Sequence, residues 1–223
     1  MLLAIDTSTR NVGIAIYDGI QVLCETTWAS HDYHTVELAP AISDTLSRAG
    51  LAIQDLKLLA VATGPGSFTG LRIGIAVAKG IALACHLPII GIPTLDIVAE
   101  SQPISLGLPL AAVLQAGRGR LAVGWYTATD ARWQLNPPVE IMEALILSRH
   151  IHEPTLVCGE LNEEQQHALA RKYKNVILAS PAHSVRRPAL LAELAWNRWL
   201  SGDVDDPATI SPTYLHAGEP IPG

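Results

Sequence analysis

The residue pattern spells one order of elements twice: three strands, a helix, a strand, a helix, a strand and a helix. Leu2 to Ile5 is a short apolar run that ends on Asp6, and 12–17 and 20–28 are strand-like. Asp18-Gly19 between those two is a tight-turn signal. A helix is predicted over 34–49, with Leu38, Ile42, Thr45, Leu46 and Ala49 along one face and Gly50 closing it. Pro40 inside that segment predicts a late start or a kink. Residues 58–63 read as a buried strand that runs into Gly64-Pro65-Gly66-Ser67 and then into a helix reaching His86. A strand over 89–92 and a short helix capped by Thr94 complete the first half. In the second half, 109–116, 121–126 and 133–139 are strand candidates and 140–148 a short helix. Strand 155–158, helix 161–173, strand 176–179 and helix 188–200 follow.

Two such units, joined near residues 101–108, predict an α/β chain with the actin-like (ASKHA, ribonuclease H-like) duplicated two-lobed fold. The expected lobes are 1–104 and 105–223. A hydrophobic fraction of 49% against 16% charged residues is enough to fill two cores. With 21 acidic against 15 basic residues there is no basic footprint, so any contact with nucleic acid is expected to be local or made through a partner. Cys24, Cys85 and Cys158 are far apart and odd in number, which argues against a disulfide framework or a structural zinc. Asp6 comes too early for a signal peptide, and Arg72, Lys79, His86 and Pro88 interrupt the longest apolar stretch. A cytoplasmic protein without a membrane span is the expectation.

Three constellations could carry chemistry. Asp6-Thr7-Ser8-Thr9 places a carboxylate and hydroxyls at a strand end, a position that can hold a phosphate or its magnesium. A turn tied down by its own Asp and Ser/Thr hydrogen bonds is the competing reading. Gly64, Gly66 and Ser67 lie at a strand-to-helix junction, where free N–H groups and the helix dipole favour anions, but no Walker lysine follows. Ser67 as a plain N-cap explains the same residues. Beyond the junction, Gly66, Gly70, Gly74, Ala78 and Ala82 recur every fourth residue, and the rest of that helix is also apolar, so it must be covered on more than one side. The cover is either a second helix of the same domain or an external partner. His31, His34 and Glu37 form one histidine cluster, and His150, His152 and Glu153 another. Neither supplies three or four convergent ligands, so no metal is expected. No nucleophile elbow or carboxylate dyad is visible.

Two segments together are specific. Leu3-Ala4-Ile5-Asp6-Thr7-Ser8-Thr9 resembles the opening of TsaB (YeaZ) family proteins, and Gly64-Pro65-Gly66-Ser67-Phe68-Thr69-Gly70-Leu71-Arg72-Ile73-Gly74 resembles that family's central signature. Between them, His34-Thr35-Val36-Glu37-Leu38-Ala39-Pro40 is similar to its His-Ser-Glu-x-Leu-x-Pro helix start. Lys79-Gly80, Gly91-Ile92-Pro93-Thr94-Leu95 and Pro212-Thr213-Tyr214-Leu215 continue the match. Gln115-Ala116-Gly117-Arg118 departs from the family's Asp-Ala-Arg-Arg.

The resemblance implies a non-catalytic paralogue of TsaD. Such a subunit dimerises with the TsaD homologue through first-lobe helices and supports it, together with TsaE, in threonylcarbamoyladenosine (t6A) modification of tRNA. His34, Glu37, Gly70, Arg72, Gly74, Ala78 and Lys79 are then expected at the partner interface. Asp6, Thr7, Ser8, Gly64, Gly66 and Ser67 would be a vestigial phosphate site. It leaves homodimer or monomer open for the chain alone, and it implies tRNA contact only through the complex, no cofactor of its own, and ATP and metal on TsaD and TsaE. Where TsaD carries its second metal-binding histidine, this chain has Leu38. The competing expectations are an actin-like ATPase or small-molecule kinase using Asp6 and the Gly64 loop, and a glycoprotease-like metallopeptidase.

Overall fold

The computed structural model describes residues 1–30, 34–104, 107–130, 132–170 and 174–215, with the His34 side chain outside that set. The first half builds β1 (Leu2–Asp6), β2 (Asn11–Tyr17), β3 (Val22–Ala29), α1 (His34–Arg48), β4 (Leu58–Gly64), α2 (Phe68–Cys85), β5 (Ile89–Pro93) and α3 (Thr94–Glu100). The second builds β6 (Leu110–Gln115), β7 (Arg120–Thr129), β8 (Arg132–Glu143), α4 (Ala144–His150), β9 (Thr155–Gly159), α5 (Glu163–Ala170), β10 (Val176–Leu178) and α6 (Pro188–Leu200).

The sheets have strand orders β3-β2-β1-β4-β5 and β10-β9-β6-β7-β8. Read in reverse, the second order repeats the first position for position. In each, the first three strands form an antiparallel meander and the last two lie parallel to the first. That is the actin-like, ribonuclease H-like topology, duplicated. The repeat also has a residue-level trace: the last residue of β4 and of β9 is a glycine with positive φ, Gly64 at 112° and Gly159 at 121°. A Cβ on Gly159 would lie 2.0 Å from the Val113 carbonyl oxygen, so the chain passes too close for any side chain.

Two local expectations change, and the Pro40 helix is found to start on time. Ile20 is a turn residue, 91% exposed, because the Asp18 carboxylate accepts from the N–H groups of Ile20 and Gln21 at 2.7 Å and closes the hairpin before β3. Residues 140–143 are the end of β8 rather than a helix start: Ile141 and Met142 pair with Ala122 and Leu121 of β7, and the helix begins at Ala144. Helix α1 starts at His34 and continues through Pro40.

The larger change is in the lobes. The compact units are discontinuous: the first takes Met1–Ile97 and Arg186–Thr213, and the second is built on Val98–Val185. The contiguous division near residue 104 is corrected because α6 serves the first sheet. Leu191, Ala192 and Ala195 are buried against Leu2, Ala4, Ala15, Leu58, Ala60 and Ile90. The alanines on that side let the helix approach closely, while α1 and α2 cover the opposite side through Leu38, Ile42, Leu46, Ile75, Ala78 and Ala82. After α6 the chain crosses the edge of β5: Asp205 N–H donates to the Ile89 carbonyl, and the Asp205 carboxylate accepts from Gly91 N–H at 2.7 Å. Further on, Ile210 is buried, and Thr213 N–H donates to the Thr63 carbonyl at 2.7 Å. A sheet edge that could template aggregation is thereby closed.

In the second unit Ala111, Val113, Leu121, Val123, Leu147, Val157 and Leu169 share one core. Cys158 is buried, and desolvation pushes its thiol up to about 12. Iodoacetamide at about pH 8 is therefore expected to spare Cys158 in the native protein and to label it on unfolding, since the thiolate is the nucleophile. Peptide mapping that finds native Cys158 labelled as fast as the half-buried Cys24 and Cys85 would contradict this placement.

Candidate functional site

The expected phosphate site lies at the end of β1, and the chain itself fills it. Asp6 is 2% exposed. One carboxylate oxygen accepts from Ser8 N–H at 2.9 Å and Ser8 Oγ at 2.5 Å. The other accepts from Arg186 Nε at 2.7 Å. Both ends of this ion pair are buried, with side-chain exposures of 1% and 3%. Thr7 Oγ1 donates to the Gly70 carbonyl at 2.7 Å, and Ser67 N–H donates to the Ser8 carbonyl at 2.6 Å, so α2 begins directly on the turn. Ser67 is the N-cap, accepting from Gly70 N–H. Gly64 N–H donates to Thr94 Oγ1 at 3.0 Å, so that hydroxyl also steadies the neighbouring loop. Asp6, Thr7, Ser8, Gly64, Gly66 and Ser67 do come together, but as a closed knot in which the carboxylate already has its cation.

The same contacts answer what covers the small-residue ridge. A Cβ on Gly66 would lie 2.1 Å from the Ser8 carbonyl oxygen, one on Gly70 2.2 Å from the Thr7 carbonyl oxygen, and one on Gly74 2.2 Å from Thr7 Oγ1. Gly70, Gly74 and Ala78 are buried within their own unit. Their expected place at a partner interface is therefore corrected: the close-packed neighbour is the β1–β2 turn. Glu37 accepts from Trp28 Nε1 at 3.0 Å, and Lys79 Nζ donates to the Ala208 carbonyl at 3.3 Å, so both are held by the chain. Of the expected interface residues whose side chains are described, only Arg72 stands exposed, on the outer face of α2, its guanidinium 3.7 Å from the centre of the Phe68 ring. The His34 side chain lies outside the described residues.

That outer face is apolar. Phe68 is 55% exposed and Leu83 66%, with exposed Ala76 and Gly80 between them. On the neighbouring α1, Val36 is 69% exposed and Ala39 and Pro40 are also on the surface. By length and composition α2 could cross a bilayer, yet Leu71, Ile75, Ala78 and Ala82 are spent on the sheet.

The second unit shows the same closure without charge. Gln115, at the end of β6, is the topological counterpart of Asp6. Its Nε2 donates to Gln165 Oε1 at 2.6 Å and to the Glu160 carbonyl at 3.0 Å, and Gln165 Nε2 donates to the Gly119 carbonyl at 3.1 Å. Among the described residues no group of three His, Cys, Asp or Glu side chains is placed to hold a metal. His31 lies outside that set. Leu38, at the position where the resemblance puts a metal histidine in TsaD, is 1% exposed in the core. Arg186 and Gln165 were missed by sequence reading. Nothing local marks either as the partner of a residue 180 or 50 positions away.

Comparison with known proteins decides the family. The family model of TsaD, tRNA N6-adenosine threonylcarbamoyltransferase, matches residues 22–136, just over half of the chain. Two relatives are named tRNA threonylcarbamoyladenosine biosynthesis protein TsaB. The one from Escherichia coli (strain K12) is 39% identical over 99 residues, 44% of this chain and 42% of its own. The one from Bacillus subtilis (strain 168) is 36% identical over 125 residues, 56% of this chain and 54% of its own. The chain belongs to the TsaB (YeaZ) branch of the TsaD family. It spans about half the length of the TsaB relatives it matches. The solved structure of YeaZ from Pseudomonas aeruginosa has the same fold, with a TM-score of 0.77 at 23% identity, covering 96% of this chain and 99% of that one. Both ends of this chain's knot, Asp6 and Arg186, lie outside the stretch that the family model matches.

Proposed function

We propose that this TsaB-family chain is a non-catalytic, dimerising subunit that supports a TsaD homologue in forming t6A on tRNA. The observation that carries this reading is the contrast between the two sides of α2. Its inner side closes the strand-end turn where an actin-like ATPase would hold phosphate and metal. Its outer side, with α1, leaves Val36, Phe68, Ala76 and Leu83 in solvent, and large apolar side chains exposed on two neighbouring helices favour an interaction site. Relatives named for threonylcarbamoyladenosine biosynthesis support the choice of a TsaD homologue as partner. TsaE joins the assembly, and ATP and metal belong to TsaD and TsaE. The chain needs no cofactor of its own, touches tRNA only through the complex, works in the cytoplasm, and in isolation pairs with itself through the same apolar face. With an acidic net charge of −6 it is poorly suited to grip tRNA alone.

Co-expression with the TsaD homologue of the same organism, followed by size-exclusion chromatography, tests the reading. A stable heterodimer is expected, with no magnesium-dependent ATP turnover by the isolated chain. Turnover that is lost on Asp6→Asn would sink the non-catalytic assignment, and two proteins that elute separately would sink the partnership.

A further inference from the structure

The Arg186 guanidinium donates to oxygens of three chemical kinds. Nε donates to the Asp6 carboxylate at 2.7 Å, and one terminal nitrogen donates to Thr9 Oγ1 and to the Asn11 carbonyl, each at 2.9 Å. Carboxylate, hydroxyl and carbonyl together are the donor set that hard cations take in proteins. The spacing, however, suits hydrogen bonds from a planar fork rather than a small ion, which would demand about 2.0–2.1 Å from every ligand. Asp6 and Arg186 are 2% and 5% exposed, so the pair is withdrawn from water and from salt. Arg186 is also the first residue of the first unit after the chain leaves the second at Val185.

We propose that the β1–β2 turn is a cation site whose resident ligand is the protein's own guanidinium, delivered on the returning chain. The ligand class is a planar guanidinium cation, and Arg186 is its tethered form. The arrangement keeps the Asp6 carboxylate neutralised whatever the metal concentration and leaves it no valence for the magnesium of a nucleotide. It also makes the turn, and the start of α2 that sits on it, depend on a residue 180 positions away.

Chemical rescue tests this. Arg186→Ala removes the cation and leaves the oxygens, and because the remaining carboxylate is buried and unpaired the melting temperature is expected to fall by roughly 10 °C. Millimolar ethylguanidinium should then restore ~3 °C or more through mass action on the vacated site. It should leave wild type unchanged and have no such effect on the double variant Asp6→Asn, Arg186→Ala. Equal stabilisation of all three proteins, or none of any, overturns the assignment. So does stabilisation of Arg186→Ala by magnesium but not by ethylguanidinium, which would make the cage a metal site. If Arg186→Ala does not accumulate folded, it is refolded from urea. A refolded yield raised by ethylguanidinium supports the site, and a yield indifferent to it overturns it.

Discussion

Gly70→Ala is expected to lower the melting temperature of the isolated chain by up to ~8 °C, although alanine is the better helix former. The intrinsic gain from replacing glycine within a helix is about 1 kcal/mol. Against it stands a methyl carbon placed 2.2 Å from the Thr7 carbonyl oxygen, a backbone atom that cannot rotate away. Overpacking of this kind costs ~1–3 kcal/mol and sometimes more, and here it also pries α2 from the turn that Thr7 Oγ1 and Ser67 N–H hold. For a chain of this size each kcal/mol is worth about 2–4 °C. Gly74→Leu should act in the same direction, since its Cβ meets Thr7 Oγ1 at 2.2 Å. Affinity for a partner, counted per folded molecule, should be unaffected in both. Thermal unfolding decides it: a glycine variant as stable as wild type that fails to bind would return the ridge to the interface.

The outer face of α2 should behave in the opposite way. Ala76→Arg and Leu83→Glu place a charge on positions that are already exposed, so each is expected to change stability by no more than about 0.5 kcal/mol. In the complex the same charge would be buried without a partner, at a cost of ~3–5 kcal/mol. That corresponds to a loss of about two to four orders of magnitude in affinity for the TsaD homologue. Arg72→Ala should do less, because it leaves the surface apolar. Calorimetric titration of each variant checks the ranking. Normal binding by Leu83→Glu would move the docking surface elsewhere on the chain.

Much of the fold was legible because it is written locally. Alternation marks β2, the four-residue recurrence marks α2, and Asp18-Gly19 marks the hairpin, so the order of elements and its duplication followed from the residues alone. What was not legible is long-range. The apolar stripe of α6, with Leu191, Ala192 and Ala195, says that a sheet must lie beneath it but not which of two, and it covers the first. The ridge from Gly66 to Ala82 shows that something approaches closely, and the same pattern would serve a partner helix or the turn that is found there. Asp6 was visible as a carboxylate in a chemically rich place. That it is silenced depends on Arg186, whose neighbours Val185, Arg187 and Pro188 give no sign of burial. For Gln115 the departure from the family pattern was visible, but its mate Gln165 was not.

The return of the chain to its first unit has a consequence for the order in which the molecule can be completed. During synthesis, everything the second sheet needs from β6 to β10 has emerged before α6 and the crossing at Asp205 and Thr213 exist. Until then Leu2, Ala4, Ala15, Leu58, Ala60 and Ile90 lack the helix that covers them, the edge of β5 is open, and Asp6 has no guanidinium. The half that is made first is therefore the half that is finished last. A nascent chain that has emerged only as far as Val185 would carry one complete sheet and one half-clad sheet, the latter the natural target for a chaperone.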